Sequence, residues 1–303
     1  MRTLKIPSAY DGLELDTAIL VPEGAPRAIV QISHGMAEHK ERYFDFMRFL
    51  SENGFVCVIH DHRGHGGSVK SPQDYGYFYT EDEQAVVDDV HTVTAYVRQL
   101  WPGLPIWLFG HSMGSLIARC YLKKYDAELS GVILCGPPTR NSLAGFGLGL
   151  AKLLNHVYPE KKPNMLLNAM AFGGYHKGIN VLNGWISFNE ENVTRYNDDP
   201  QCGFGFTTNG FINLLKLQKG AYESEDWQVR KPELPVFIIA GESDPVIISK
   251  ENFRELAEFL GKLGYRNIKS RLFSGMRHEV LNEKEHETVY RAVVDFINEA
   301  AQG

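Results

Sequence analysis

The sequence predicts an α/β fold in which a mostly parallel β-sheet carries helices on both faces. The first observation is that short apolar, β-branched runs alternate with longer amphipathic runs, as in a series of βα units. The second is that several short runs are apolar throughout, which is typical of strands covered on both faces. The third is that one long segment, residues 141–233, interrupts this alternation.

The predicted strands are short runs that are rich in apolar residues, several of them apolar throughout. They span residues 13–21, 28–33, 55–60, 106–109, 132–135, 236–240 and 268–273. Apolar residues three or four positions apart mark helix faces between and after these strands. The faces are formed by Tyr43, Phe46, Met47 and Leu50, by Phe253, Leu256, Ala257 and Leu260, and by Val289, Val293, Phe296, Ile297 and Ala300.

Residues 141–233 contain no strand-like run, and their Gly, Asn, Tyr, Phe and Leu residues form short helical groups. This length is too great for a bare connection, because loops beyond about 12–15 residues usually carry their own structure. We therefore predict a core formed by residues 1–140 and 234–303, with residues 141–233 inserted as a mainly helical cap. This segment is called the predicted cap below.

Composition limits the classes of function. The 303 residues contain 31 Lys and Arg against 37 Asp and Glu, which gives a formal charge of −6. Nucleic-acid-binding domains usually carry clustered basic residues, so no nucleic acid partner is expected. The first residues lack the apolar core of a secretory signal, and only four cysteines are present. We expect a soluble cytoplasmic protein with reduced thiols.

A candidate nucleophile lies in residues 110–114, which read Gly-His-Ser-Met-Gly. The pattern G-x-S-x-G alone is common, but here it follows a predicted strand and precedes a helix-compatible run at 116–122. That context is typical of a strained strand-to-helix turn that exposes the serine hydroxyl. We predict Ser112 as the nucleophile.

A serine needs a base to take its proton and a third group to orient that base. In this kind of fold the partners follow in the order Ser, acid, His, each after a later strand. Asp244 follows the strand at 236–240, and His278 follows the strand at 268–273. Glu242 is the competing acid, but Asp244 precedes Pro245, forms the better turn and is preferred.

Two backbone N–H groups must stabilise the oxyanion that forms when the carbonyl is attacked. One is expected from the residue after the nucleophile, Met113. The other is expected from the loop after an early strand, where Met36 follows the strand at 28–33. The predicted oxyanion hole is therefore formed by the amides of Met36 and Met113.

These residues resemble the monoacylglycerol lipase and lysophospholipase group of the α/β-hydrolase superfamily. The resemblance is carried by the motifs at 34–43, 61–68, 110–114 and 241–245, and it spans the chain from His34 to His278. It implies Ser112, Asp244 and His278 as a catalytic triad.

The resemblance also places Glu38 and Arg42 near a glycerol headgroup, although a salt bridge that braces the oxyanion loop is an equal alternative. Leu281 stands where some monoacylglycerol lipases carry a headgroup-contacting histidine, which argues against strict monoglyceride selectivity. Residues 199–204, Asp-Pro-Gln-Cys-Gly-Phe, resemble a segment of bacterial lysophospholipase-like sequences and receive no catalytic role.

No cofactor is predicted. The histidine-rich run 60–65 has Gly64 where a metallo-β-lactamase-like metal cluster needs an aspartate, so no metal site is expected; Asp61 and Arg63 are expected to tie down the loop. No phosphate-binding loop is present. The apolar runs of the predicted cap are too short to cross a bilayer. We expect them to pack on the core or line an acyl groove, with transient docking on micelles or membranes as a lesser role.

The sequence therefore predicts a serine hydrolase that cleaves carboxylic esters of lipid type through an acyl-enzyme. General carboxylesterase, peptidase or amidase and acyltransferase activities are alternatives on the same turn. A third class is a non-catalytic α/β-hydrolase that binds a ligand in its pocket.

Overall fold

The computed structural model describes residues 1–175 and 178–302. Eight strands in these residues form one sheet, in the order β1-β2-β4-β3-β5-β6-β7-β8. Strands β1 and β2 run antiparallel to their neighbours, and the other six strands are parallel. The strands are β1 (Arg2–Pro7), β2 (Glu14–Leu20), β3 (Ala28–Ser33), β4 (Phe55–His60), β5 (Ile106–His111), β6 (Gly131–Cys135), β7 (Val236–Gly241) and β8 (Ile268–Phe273).

Nine α-helices occur in the described residues. They are α1 (Phe44–Glu52), α2 (Gln84–Leu100), α3 (Met113–Tyr125), α4 (Ala144–Asn155), α5 (Met165–Phe172), α6 (Glu190–Asp198), α7 (Thr208–Gly220), α8 (Lys250–Leu263) and α9 (His286–Ala300). Helices α1 and α9 cover one face of the sheet, and α2, α3 and α8 cover the other. The predicted mostly parallel α/β fold is confirmed.

The two faces of the sheet form two apolar clusters, as the alternation of side chains along a strand requires. In β4, Val56 and Val58 belong to the cluster shared with α2 and α3, whereas Cys57 and Ile59 belong to the cluster shared with α1 and α9. Both sets are fully buried. This is why the central strands are apolar throughout.

The sequence pattern did not indicate β1. This strand lies at the edge of the sheet, and Ile6 is its one buried residue. An edge strand with so little buried surface has no apolar run, so its position depends on pairing with β2.

The residues of the predicted cap carry helices α4 to α7, with one isolated bridge between Pro163 and Thr207. Helix α4 packs against α7, and α7 in turn packs against α3. Two residues of the predicted cap, His176 and Lys177, lie outside the described residues. None of the helices in the described chain is long and apolar enough to cross a membrane.

Candidate active site

Ser112 lies at the turn between β5 and α3. Its backbone has φ 52° and ψ −117°, in a region that residues with a side chain rarely adopt. The turn needs the glycines on either side. A Cβ on Gly110 would lie 2.4 Å from the Gly114 oxygen, and a Cβ on Gly114 would lie 2.0 Å from the Ser33 oxygen. The Ser112 N–H donates to the Cys135 oxygen at 2.9 Å, which fixes the turn to β6.

His278 and Asp244 form a buried pair at the ends of β8 and β7. His278 Nδ1 lies 2.9 Å from Asp244 Oδ2, and Asp244 Oδ1 accepts from the Val246 N–H at 2.8 Å. A carboxylate accepts, so Nδ1 carries the proton and Nε2 is the nitrogen that can act as a base. Burial lowers the pKa of His278, but the carboxylates of Asp244, Glu279 and Glu38 outweigh it and raise the pKa above its ordinary value.

The competing residues lie elsewhere. Glu242 is partly exposed and pairs with Lys250. His286, at the start of α9, donates through Nδ1 to the Glu283 oxygen at 2.7 Å. The structure therefore brings Asp244, and not Glu242, into contact with His278.

A cavity of about 660 Å³ is lined by most of the predicted site residues. Ser112, His278, Met36 and Met113 all line it, at the ends of the parallel strands and beneath the predicted cap. Most of its wall is apolar and comes from Leu116, Phe146, Leu167, Met170, Phe211, Leu214, Leu215 and Val246. A second depression of about 810 Å³ lies at the amino ends of the strands and contains none of the predicted site residues.

The two predicted oxyanion donors have free amides. Neither the Met36 N–H nor the Met113 N–H donates a hydrogen bond to any residue that the structure describes. Met113 begins α3, where the first amides have no partner within the helix. The loop that carries Met36 approaches the serine closely, because a Cβ on Gly35 would lie 3.2 Å from Ser112 Cβ. Both amides are thus available to a substrate oxygen.

Glu38 and Arg42 belong to a buried ion-pair network. Arg42 donates to Glu38 Oε2 at 2.8 Å and to both carboxylate oxygens of Glu279 at 2.7 and 2.6 Å. It also donates to Asn192 of α6 at 3.0 Å. Burial lowers the pKa of Arg42, but the negative charges of Glu279 and Glu38 outweigh burial and raise the pKa well above its ordinary value. The contacts of Arg42 favour the bracing alternative, while Glu38 also lines the cavity and keeps the predicted headgroup contact open.

Sequence reasoning missed three residues around His278. Glu279 follows it directly and is held by Arg42, which lowers the pKa of Glu279 to about 2 although burial raises it. The rings of His111 and Trp185 lie 4.7 and 5.3 Å from the His278 ring. Trp185 belongs to the predicted cap, in a segment without helical or strand periodicity. Its place beside His278 is therefore visible only in the structure.

The loop at 61–68 is held by buried charges. Asp61 accepts from the Lys40 N–H at 2.7 Å and from the Gly67 N–H at 2.8 Å. Arg63 pairs with Asp89 at 2.7 Å, and both side chains are inaccessible to solvent. These contacts match the expectation that Asp61 and Arg63 tie the loop down.

His39, Asp199 and Cys202 form one group in the described residues whose potential metal-ligand atoms lie within 4.8 Å of one another. Both nitrogens of His39 are already engaged, with Asp199 Oδ2 at 2.8 Å and Glu41 Oε2 at 2.5 Å. Burial lowers the pKa of His39, but the hydrogen bonds to Glu41 and Asp199 raise it overall. His39 therefore bridges Glu41 of the core and Asp199 of the predicted cap. The histidines of the run 60–65 contribute nothing to this group.

Comparison with known proteins gives consistent matches. The sequence model of the Hydrolase_4 family, described as serine aminopeptidase, S33, matches residues 24–285. The monoglyceride lipase of Homo sapiens is 29% identical over 295 residues, covering 91% of this chain and 86% of that protein. The monoacylglycerol lipase of Mycolicibacterium smegmatis is 26% identical over 289 residues, covering 94% and 93%.

A solved structure resembles the whole chain. It is a highly thermostable carboxyl esterase from Bacillus coagulans in complex with glycerol, with a TM-score of 0.91 and 28% sequence identity. The match covers 99% of this chain and 98% of the esterase.

Proposed function

Because the chain belongs to the serine aminopeptidase S33 family of α/β-hydrolases, we propose that it cleaves carboxylic esters of monoacylglycerol or lysophospholipid type through an acyl-enzyme on Ser112. Family membership and the ester hydrolases among its relatives confirm the predicted enzyme class. The observation that carries the proposal is the shared cavity. A strained serine, a carboxylate-oriented histidine and two free amides meet in one mostly apolar space.

In the proposed acylation step, Ser112 Oγ attacks the ester carbonyl while His278 Nε2 takes the hydroxyl proton. The carbonyl oxygen becomes an oxyanion, and the amides of Met36 and Met113 donate to it. The C–O bond to the leaving alcohol then breaks, and His278 donates the proton that it took from Ser112 to the alcohol oxygen. Asp244 keeps the imidazole oriented and stabilises its charged form without taking the proton.

In the proposed deacylation step, water attacks the acyl-enzyme carbonyl while His278 takes one proton from the water. The second oxyanion is held by the same two amides. Collapse releases the fatty acid, and the proton returns to Ser112 Oγ. Atoms balance with one water consumed per ester, and the chemistry uses only these side chains and amides.

The acyl preference follows from the wall of the cavity. Side chains from α4, α5 and α7 enclose an apolar space beside Ser112, which suits a hydrocarbon chain better than a polar one. The relatives named monoglyceride lipase and monoacylglycerol lipase support this substrate class. The polar group Glu38 at the cavity is the proposed contact for a headgroup hydroxyl.

We propose that the predicted cap also docks transiently on micelles or membranes. Most of the large apolar side chains exposed on the described residues belong to it, including Leu153 at 66% and Val157 at 80% exposure. Because the net charge is −6, attraction to anionic lipid is weak and apolar contact must supply the attachment.

The four cysteines are free, which suits the proposed cytoplasmic location.

Aminopeptidase activity is the second candidate, because the matching family model is described by that activity. One experiment separates the two. Wild type and Ser112→Ala are compared on a monoacylglycerol, a lysophospholipid, a short nitrophenyl ester and an aminoacyl anilide, with fluorophosphonate labelling followed by intact mass. Ester turnover and labelling that both disappear in Ser112→Ala support the proposal. Ester turnover that persists in Ser112→Ala contradicts it, and preferential anilide cleavage supports the aminopeptidase.

A further inference from the structure

The indole of Trp185 lies beside the imidazole of His278. The two ring centres are 5.3 Å apart, and the ring planes meet at 37°. Trp185 lines the cavity that also contains Ser112, although its segment belongs to the predicted cap. A side chain from outside the core therefore contacts the residue that takes and returns the proton in the proposed reaction.

The backbone on both sides of Trp185 is bound to the loop after β8. The Glu279 N–H donates to the Ile186 oxygen at 2.7 Å, and the Arg277 guanidinium donates to the Gly184 oxygen. Arg277 and Glu279 directly flank the proposed base in the sequence. These two hydrogen bonds thus hold the indole and the imidazole against each other.

The position of Trp185 carries a cost. Its Nε1–H is buried and has no hydrogen-bond partner among the described residues. A buried donor without a partner loses its bonds to water, which destabilises the folded state. An apolar side chain such as leucine would avoid that loss, so an indole at this position indicates a role besides packing.

The charge of His278 changes during the proposed reaction. The ring becomes positive when it takes the Ser112 proton, and it is neutral again once the leaving alcohol has received that proton. The face of an indole is electron-rich and attracts a cation within about 6 Å of its centre. At 5.3 Å, Trp185 can therefore stabilise the charged ring more than the neutral ring. An interaction that strengthens as charge develops accelerates the chemical step.

Other titratable groups also surround His278. Those in the core are Asp244 after β7, Glu38 after β3, Glu279 in the same loop and His111 at the end of β5, with Arg42 paired to Glu38 and Glu279. Burial and the nearby His278 lower the pKa of His111 well below its ordinary value, so that ring stays neutral. From the predicted cap, Tyr175 packs on Trp185 with ring centres 5.0 Å apart. Burial, with Asp244, raises the pKa of Tyr175 to about 12, so the phenol stays uncharged.

We propose that Trp185 is a positioning residue for His278, whose indole keeps the imidazole in place and stabilises its protonated form while Ser112 is acylated and deacylated. The role rests on the proposed ester hydrolysis at Ser112. In this role Trp185 acts through His278 and not on the reacting atoms of the substrate. The predicted cap then contributes to the chemical step as well as to the wall of the acyl pocket.

Two variants separate the aromatic face of Trp185 from its volume. Trp185→Phe keeps an aromatic face, and Trp185→Leu keeps an apolar side chain without one. The matched control is Trp101→Leu, the same change at a partly buried residue between α2 and β5. Trp101 lies before the amino end of β5, whereas Ser112 follows the carboxyl end of that strand.

The measurement is the pH dependence of kcat/KM on a short nitrophenyl ester, together with the rate of fluorophosphonate labelling. Both rates need an unprotonated His278, so the pH of half-maximal rate reports how strongly the protein stabilises the protonated ring. A loss of folded protein or of substrate affinity lowers the rate and leaves this midpoint in place. The midpoint therefore separates the proposed role from a general structural effect.

We expect Trp185→Leu to move the midpoint to lower pH by at least about 0.4 units and to lower kcat about threefold or more. Trp185→Phe should move the midpoint less, and Trp101→Leu should leave it in place. A midpoint that stays in place or rises in folded Trp185→Leu overturns the inference. Ester turnover that persists in Ser112→Ala instead overturns the proposed function, so the two failures are distinguishable.

Tryptophan fluorescence tests the contact in the wild type, and it keeps the inference testable if a variant does not fold. A protonated imidazole in contact with an indole quenches its fluorescence more than a neutral imidazole does. Of the four tryptophans, only Trp185 has a ring contact with a histidine in the described part of the chain. Fluorescence should therefore fall as the pH is lowered through the midpoint of the activity profile. Fluorescence that does not change across this midpoint overturns the inference.

Discussion

The imidazole of His278 and the carboxylate of Asp244 lie 2.9 Å apart in a buried contact between the loops after β8 and β7. Asp244→Asn should therefore lower kcat by about 10⁴-fold, because an amide no longer enforces the Nδ1–H tautomer. The matched control is Glu242→Gln, which changes the same loop two residues earlier at a partly exposed position paired with Lys250. Steady-state ester hydrolysis checks both variants. Equal losses in the two would contradict the assignment of Asp244.

The pH dependence of kcat/KM should reflect the raised pKa of His278. The base form requires an unprotonated ring, so activity should rise with pH and reach half its maximum above the ordinary histidine pKa of about 6.5. Removing a nearby negative charge stabilises the neutral ring. Glu279→Gln should consequently move the acid limb to lower pH, and Glu285→Gln, at an exposed position, should not. An unmoved limb in Glu279→Gln would show that Glu279 does not influence the base.

The same shift affects stability. A histidine whose pKa is raised on folding stabilises the folded state while it is protonated, at pH values below its unfolded pKa. That contribution disappears as the pH rises through the folded pKa. The unfolding free energy of Ser112→Ala, which keeps His278, should decline as the pH rises across this range. Adding Asp244→Asn should make that decline smaller.

Arg42 should be essential for stability. Arg42→Leu leaves Glu38 and Glu279 buried without their cation, which should cost about 3–5 kcal/mol of unfolding free energy. Arg48→Leu is the control, because Arg48 pairs with Asp45 at an exposed surface and should change stability by less than about 0.5 kcal/mol. Urea unfolding measures both. A loss of unfolding free energy in Arg42→Leu as small as that in the control would mean that Glu38 and Glu279 are neutralised in another way.

The strained backbone at Ser112 should appear as a trade between activity and stability. Ser112→Gly removes the nucleophile and should lower turnover at least about a thousandfold. It also relieves the positive φ, so the unfolding free energy should rise by about 1 kcal/mol. Ser115→Gly in α3 removes the hydrogen bond to the Ser112 oxygen and should instead destabilise by about 1 kcal/mol. Thermal and chemical unfolding measure whether stability rises in Ser112→Gly and falls in Ser115→Gly.

Surface docking by the predicted cap should depend on its exposed apolar residues. Leu153→Ser with Val157→Ser should weaken binding to neutral phosphatidylcholine vesicles by about tenfold or more. Hydrolysis of a short, water-soluble ester should stay unchanged, because neither residue lines the cavity. Val21→Ser, at an exposed apolar position of the core, is the control. Vesicle sedimentation gives the affinity, and equal binding of both variants would contradict docking through this segment.

The sequence indicated most of the fold and the residues of the proposed triad, because each of these residues follows a predicted strand. Ser112, Asp244 and His278 could be found from local patterns of strand and turn. Glu279 and Trp185 could not, since their importance depends on which loops meet in space. The edge strand β1 was missed for a related reason: its pairing with β2 stabilises it, and its own sequence has little apolar content.

The carbonyl of Ala37 accepts from the Tyr196 hydroxyl at 3.1 Å and from the Gly203 N–H at 2.9 Å. Ala37 has φ 51° and directly follows Met36. Any chimera that exchanges residues 141–233 for the equivalent segment of a relative would therefore also replace two hydrogen bonds on the loop that carries Met36. A graft that ends before Tyr196 keeps these native contacts, so the residues of α4 and α5 that line the cavity can be exchanged while residues 196–203 stay with the core.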